Sequence, residues 1–319
     1  MRQIARFIPH ALVVVFAAWC AYALRGDLAQ VSLTPVLRAW DLIALAAVFS
    51  LMNYVLRIIR WRSYLARLGH PLGLRFAALT FVAGFAYTLS PGKVGEMVRA
   101  RYYQPLGVPL AKTAAAFFAE RLLDLVAMVV LSALLFAGSP EYRGAILGAA
   151  ALVVGALVVF ALVPWNRVTA RLGTIHGIPA ILRKALTGIT SALASTKPLL
   201  RPAPLVFGFA IGLVAWGLEG VGLNVLAGML PGVHPDIPTA VGVYAVAVLV
   251  GGLSFLPGGL GSTEAVMTAL LVTHGFAVGD AILLTLTCRL VTLWLAVCLG
   301  WIAVLVLPKR AFAVASTWP

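Results

Sequence analysis

The stretch Ser90-Pro-Gly-Lys-Val-Gly-Glu96 sets a lysine and a glutamate beside two glycines and a proline, between apolar segments. Proline removes a backbone donor and glycine reaches left-handed backbone at little cost, so a regular helix does not run through such a stretch. A second copy follows, because Leu256-Pro-Gly-Gly-Leu-Gly-Ser-Thr-Glu264 repeats the Pro-Gly-x-x-Gly core and also ends on a glutamate. Pro91 and Pro257 are 166 positions apart, and in both copies an arginine follows the glutamate by 25, Glu96 to Arg121 and Glu264 to Arg289. The offset of 166 also carries Asn53 onto Glu219, each a polar residue inside an apolar run. The pattern reads as one unit present twice, each copy with a broken helix and a candidate intramembrane ion pair. Repeat A covers about 41–137 and repeat B about 204–307.

Composition excludes a soluble domain. Of 319 residues, 62% are hydrophobic and 11% charged, with a mean hydropathy of +1.02, whereas soluble chains carry about a quarter charged residues. The whole of 1–319 therefore reads as a single transmembrane domain. A net charge of +14 in a soluble chain would point to nucleic acid; here the placement of the charges points elsewhere, and no nucleic-acid partner is expected. Cys20, Cys288 and Cys298 lie in apolar runs without CxxC spacing, which indicates neither a disulfide framework nor a zinc site. The histidines fall in loops or at span ends without HExxH, and Gly92-Lys93 lacks the rest of a Walker A loop. No metal and no cofactor are expected.

Taken in order, Ala11–Leu24 follows Arg2 and Arg6 and reads either as a first span or as a signal peptide ending at Ala21-Tyr22-Ala23. A second span runs from about Asp41 to Ile59 and ends in a basic cluster, Arg57, Arg60, Arg62, Arg67 and Arg75. Phe76–Leu89 is 14 residues, about 21 Å as a helix, too short for a hydrocarbon core of about 30 Å. It predicts a re-entrant helical hairpin that turns at Ser90–Glu96. Further spans are expected at about Thr113–Ala137, Gly144–Val163, Pro204–Leu230 and Ala281–Leu307. A second hairpin is expected over Thr239–Leu256 and Thr263–His274, and a basic loop over 164–203, part of which has helical periodicity. The single Gly208-x-x-x-Gly212 reads as ordinary helix packing. The fold expected is an all-α polytopic membrane protein of about six full spans plus two re-entrant hairpins.

With the N-terminus inside, 18 Lys and Arg fall on the cytoplasmic side and three outside, Arg25, Arg38 and Arg143. That asymmetry is a positive-inside signal, and it places both termini in the cytoplasm. Lys93, Arg121 and Arg289, with Glu96, Glu120, Asp124, Glu219 and Glu264, remain inside the membrane. Three crossings separate the starts of the second and fifth spans, so the repeats run in opposite directions. Inverted repeats with broken helices meeting near mid-depth are a transporter architecture.

A charge deep in the bilayer costs on the order of 3 kcal/mol. One reading is mutual neutralisation, with Arg121 paired to Asp124 on one helix face and Glu96 to Lys93 or Arg121. The other is a site. The hairpin tips, Pro91, Gly92 and Gly95 in one and Pro257, Gly258, Gly259 and Gly261 in the other, free backbone groups that need protein or a wet cavity around them. Tip glycines, a helix N-terminus and a nearby arginine make a site for an anion, and the phosphate of a lipid headgroup is the natural one at that depth. Lys93, Glu96, Arg121, Asp124, Glu219, Glu264 and Arg289 are the candidate substrate-binding and transport residues. No catalytic residue is assigned. An intramembrane lipid-modifying transferase and a non-catalytic membrane partner of a lipid-synthesis enzyme are the rival readings.

Arg60-Trp61, the Ser90–Glu96 break, Glu120-Arg121 with Asp124, and Leu256–Glu264 with Arg289 together resemble the lysylphosphatidylglycerol synthase transmembrane-region family of flippase-like proteins, over roughly Asp41 to Leu307. The resemblance implies a cell inner-membrane protein that moves lipids or lipid-linked headgroups between leaflets. It also implies functional roles for Glu96, Arg121, Glu264 and Arg289. Members serve aminoacylated-lipid, hopanoid and glycolipid pathways, so the lipid is left open. Full synthases add a soluble aminoacyl-transfer domain after the membrane part, and the end of this sequence at Pro319 leads us to expect no complete synthase.

Overall fold

In hydrocarbon every backbone donor and acceptor must be satisfied within the protein, and a helix does so within its own segment. A computed structural model describes residues 33–136, 162–174 and 179–307, with scattered positions from 144 to 160. Among these, every regular element is helical. The expected segment Ala11–Leu24, most of the expected span Gly144–Val163 and the basic pair Lys309-Arg310 lie outside the described residues.

The elements are α1 (Thr34–Arg38), α2 (Trp40–Arg67), α3 (Leu74–Phe85), a 3-10 stretch Pro91–Val98, α4 (Arg99–Tyr103) and α5 (Leu110–Ser132). Then come α6 (Trp165–Thr174), α7 (Ala180–Ser195), α8 (Pro202–Ala227), α9 (Ile237–Leu253), a 3-10 turn Pro257–Gly259 and α10 (Ser262–Thr273). The last is α11 (Val278–Val306), which contains a π-helical stretch Leu290–Trp294. By length and composition α2, α8 and α11 can each cross a membrane. α5 has 23 residues but carries Lys112, Glu120, Arg121 and Asp124. The basic segment expected as a loop is largely helical, and α7 packs on α5 with Thr190 and Ala192 buried.

α2 shows why these helices suit lipid. Its buried stripe, Ala46, Ser50, Asn53, Tyr54, Arg57, Arg60 and Tyr64, recurs every three or four residues. Leu45, Val48, Leu51, Met52, Val55 and Ile59 face outward and are exposed. Polar inside and apolar outside is the reverse of a soluble helix, and it puts the costly groups where other helices can satisfy them. α8 lies along this stripe. A Cβ on Gly212 would come 3.0 Å from Arg60 Nη1, so Gly208 and Gly212 serve close packing within the chain. The two larger apolar clusters centre on Trp61, Phe81, Phe85 and Leu123 and on Leu223, Leu226, Val243 and Leu284, the second also taking in Ala46, Ala127 and Met128.

Both predicted breaks are present, and their backbones match. Gly92 and Lys93 have φ of 60° and 57°; Gly258 and Gly259, each 166 positions on, have 62° and 68°. The first break starts earlier than expected, since α3 stops at Phe85 and residues 86–90 already turn. Its return helix, α4, is only five residues long, whereas α9 and α10 form a full helical hairpin. The breaks touch each other, Gly258 against Leu89 and Gly92 near Phe255.

Candidate functional site

Positions 50, 53, 57 and 60 share one face of α2 because three and four residues make about one helical turn. That face presents Arg57 and Arg60 to α5, where Glu120 and Asp124 stand four apart on the opposing face. Glu120, 1% exposed, is the hub. Arg57 reaches its carboxylate at 3.2 Å, Arg60 at 3.4 Å, Arg121 at 3.3 Å and Arg99 at 3.6 Å. Asp124 takes Arg60 at 2.6 Å and Arg121 at 3.2 Å. Glu96 accepts from Arg99 at 2.9 Å and from the Thr88 hydroxyl at 2.9 Å, while Arg121 comes only within 4.0 Å. Rings of Phe81, Phe85, Trp61 and Trp216 lie against the guanidinium groups of Arg57 and Arg99. Four arginines thus face three carboxylates in a buried cluster, which leaves an excess of positive charge.

This corrects the sequence reading in one respect. Arg57, Arg60 and Arg99, counted among the cytoplasmic bases, are buried at 4%, 0% and 1% exposure. An acid within one turn, or a polar stripe at helical spacing, was the signal. Arg99 follows Glu96 by three positions, and Ser50, Asn53, Arg57 and Arg60 align on α2.

The second break is simpler. Glu264 sits three positions into α10 and accepts from the Gly261 backbone N–H at 2.6 Å, so it caps the helix that the break begins. Arg289 Nε donates to the same carboxylate at 2.6 Å, and its Nη2 donates to the Gly258 carbonyl at 2.8 Å. Arg289 stands at the last turn before the π-helical stretch, a distortion common at functional sites. Within that stretch the Thr292 carbonyl accepts from the Tyr54 hydroxyl at 2.6 Å, which ties α11 to α2.

Where the breaks meet there is a cavity of about 290 Å³. Lys93, Arg121, Asp124, Glu219, Arg289, Gly92, Gly258 and Gly259 all line it; Glu96, Glu264, Pro91, Gly95, Pro257 and Gly261 do not. Asn53 Oδ1, Trp216 Nε1 and Thr292 Oγ1 belong to lining side chains and are buried without a hydrogen-bond partner among the described residues. Buried polar atoms are rarely left so, and three around one cavity mark a place for a polar occupant. Lys93 and Glu219 also line it, and among the described residues neither has an oppositely charged group within 4.0 Å. Trp216 and Thr292 carry no sequence signal, being an aromatic and a hydroxyl in apolar runs. Among the described residues no cluster of three His, Cys, Asp or Glu side chains is arranged to hold a metal.

The family model described as the lysylphosphatidylglycerol synthase TM region matches residues 8–300. The chain belongs to that family. Its matched region takes in both breaks, the arginine cluster and the whole cavity lining. Among similar proteins, a UPF0104 membrane protein of Methanothermobacter thermautotrophicus is 28% identical over 280 residues, covering 82% of each chain.

Proposed function

We propose that this family member is a lipid flippase or scramblase-like transporter, moving a phospholipid or lipid-linked headgroup across the bacterial inner membrane. The observation that carries the reading is the cavity between the two breaks. It is lined by Lys93, Arg121 and Arg289 and by buried polar atoms without partners. An anionic headgroup supplies acceptors for the lysine and the arginines and for Trp216 Nε1, while its acyl chains stay in the surrounding lipid. The breaks then act as two inverted re-entrant hairpins in a bundle of about six spans, with both termini cytoplasmic, each hairpin gating the cavity from one side. Glu96 and Glu264 hold arginines in place without lining the cavity themselves. Without a nucleotide-binding motif, uphill movement draws on an ion gradient or a partner, and a lipid-biosynthesis enzyme is the natural supplier of the substrate.

Leaflet exchange of fluorescent phosphatidylglycerol and phosphatidylcholine in proteoliposomes tests this, with wild type beside Arg121→Gln and Arg289→Gln. We expect headgroup-dependent exchange in wild type and its loss in both variants. If no lipid moves and the variants match wild type in folding, the reading is overturned in favour of a non-catalytic membrane partner or a lipid-modifying transferase.

A further inference from the structure

Of the acids that the described bundle encloses, Glu96, Glu120, Asp124 and Glu264 are each ion-paired, and Glu219 is not. It is 3% exposed, on the wall of the cavity, and it accepts from the Ser50 hydroxyl at 2.7 Å. A carboxylate enclosed in protein without a counter-ion is expensive to keep charged, and it sheds that charge by binding a proton. A serine hydroxyl suits both states, because it donates to the carboxylate and accepts from the acid.

The surroundings tie this proton to the cavity. From α2 Glu219 faces Tyr54 and Arg57, from the first break Lys93, from α9 Tyr244, and from α11 Cys288 and Arg289. α5 contributes Arg121 and Asp124 across the cavity. Lys197 and Arg201, the charged groups at the other end of α8, lie about 25 Å of helix or more away. Arg57, Arg121, Asp124 and Arg289 are already engaged in ion pairs. Lys93 is the cation left over, with Trp216 as its neighbour, the ring centroid 5.6 Å from Nζ. While Glu219 is ionised it offsets Lys93 across the shared space. Once Glu219 holds a proton, the positive charge of Lys93 has no counterpart inside the cavity.

We propose that Glu219 is a proton-binding site, and that the cavity takes up one proton there together with one anionic phosphate group at Lys93. The pair is neutral, so proton and phosphate favour each other's entry. Linkage makes the effect reciprocal: a phosphate in the cavity promotes protonation to the same degree. The proton comes from water in the cavity and returns to water on the side where the phosphate leaves. The coupling rests on the transport reading above; the proton site itself does not.

Two measurements separate them. Infrared difference spectra of the purified protein in phosphatidylcholine nanodiscs, recorded across a pH titration, report the carboxylic-acid carbonyl stretch without any transport. Wild type is expected to show a titrating band that Glu219→Gln lacks, and Ser50→Ala is expected to keep the band with a displaced midpoint. Adding inorganic phosphate or short-chain phosphatidylglycerol then distinguishes a free anion from a lipid headgroup, since only the cavity's own ligand moves the wild-type midpoint. Proteoliposomes with an imposed pH gradient supply the second measurement. Phosphatidylglycerol exchange in wild type is expected to change several-fold with the gradient, and in Glu219→Gln to be the same with and without it. A band that persists unchanged in Glu219→Gln overturns the proton site. A band that is lost, with wild-type exchange indifferent to the gradient, overturns the coupling. If no lipid moves at all, the transport reading and the coupling fall together, and the band alone decides the proton site.

Discussion

At the first break Gly92 and Lys93 turn the chain with left-handed backbone, and the glutamate behind them joins a cluster of four arginines and three carboxylates. At the second break Gly258 and Gly259 make the same turn, but the glutamate behind them caps a helix and holds one arginine. The backbone device is shared and the electrostatics are not. One half of the bundle holds its charges by mutual pairing deep in protein, where loss of any one strands its neighbours. The other half needs a single guanidinium, held at once by a side chain and by the tip's own Gly258 carbonyl. The cavity lies between a wall cross-linked by many ion pairs and one tied by a single arginine.

The largest contrast is expected from the two glutamates that organise each half. Glu120→Gln leaves four arginines short of a partner, and removing one side of a buried pair costs about 3–5 kcal/mol. Thermal unfolding in detergent is expected to show a large loss of stability. Glu264→Gln acts on a carboxyl with 20% side-chain exposure; it keeps a weaker cap and is expected to lose about 1–2 kcal/mol. Equal losses would mean that the halves are built alike.

A subtler contrast lies in the tips themselves. Lys93 adopts a backbone that costs a side-chain-bearing residue about 1–2 kcal/mol, and its equivalent in the other half is glycine. Lys93→Gly is expected to raise stability by about 1 kcal/mol while abolishing exchange. A variant that gained stability and kept its activity would remove the reason for a lysine there. Gly259→Ala should move the other way, since its Cβ would come 2.7 Å from Thr263 Oγ1 in addition to the strained φ.

The smallest effect is expected where α9 begins. Asp236 accepts from the Thr239 side chain and backbone, chiefly the former, which holds its carboxyl below the usual range; α3, with Gly73 at its N-cap position, has no side-chain cap. The folded carboxyl is the more acidic one, so its contribution is present above about pH 4 and is lost as pH falls through the folded value. Asp236→Ala is expected to lower the unfolding temperature slightly at neutral pH and to match wild type in acid.

The breaks were legible because proline, glycine and charge set together inside an apolar run are incompatible with a straight membrane helix. The spacing of 25 led from Glu264 to Arg289 and to a contact of 2.6 Å. The same spacing from Glu96 to Arg121 led to a contact of 4.0 Å, because Arg99, three residues on, takes the carboxylate first. Spacing names candidates, and the nearest donor decides among them. A run of arginines after a span looks like a solvated basic cluster, while the stripe through Ser50 and Asn53 that buries Arg57 and Arg60 shows only when the helix is extended to Arg67. Glu219 stood out as an acid in an apolar run; its want of a cation, and the parts played by Trp216 and Thr292, arise only from how α2, α8 and α11 are brought together.

Lys93→Gln is the most direct test of the cavity as a headgroup path, because it removes a cavity charge without breaking an ion pair. Exchange of phosphatidylglycerol in proteoliposomes, compared with phosphatidylcholine, is expected to fall by about tenfold or more, the equivalent of about 1.4 kcal/mol, with folding intact. Phosphatidylglycerol exchange equal to wild type in a folded Lys93→Gln protein would contradict it.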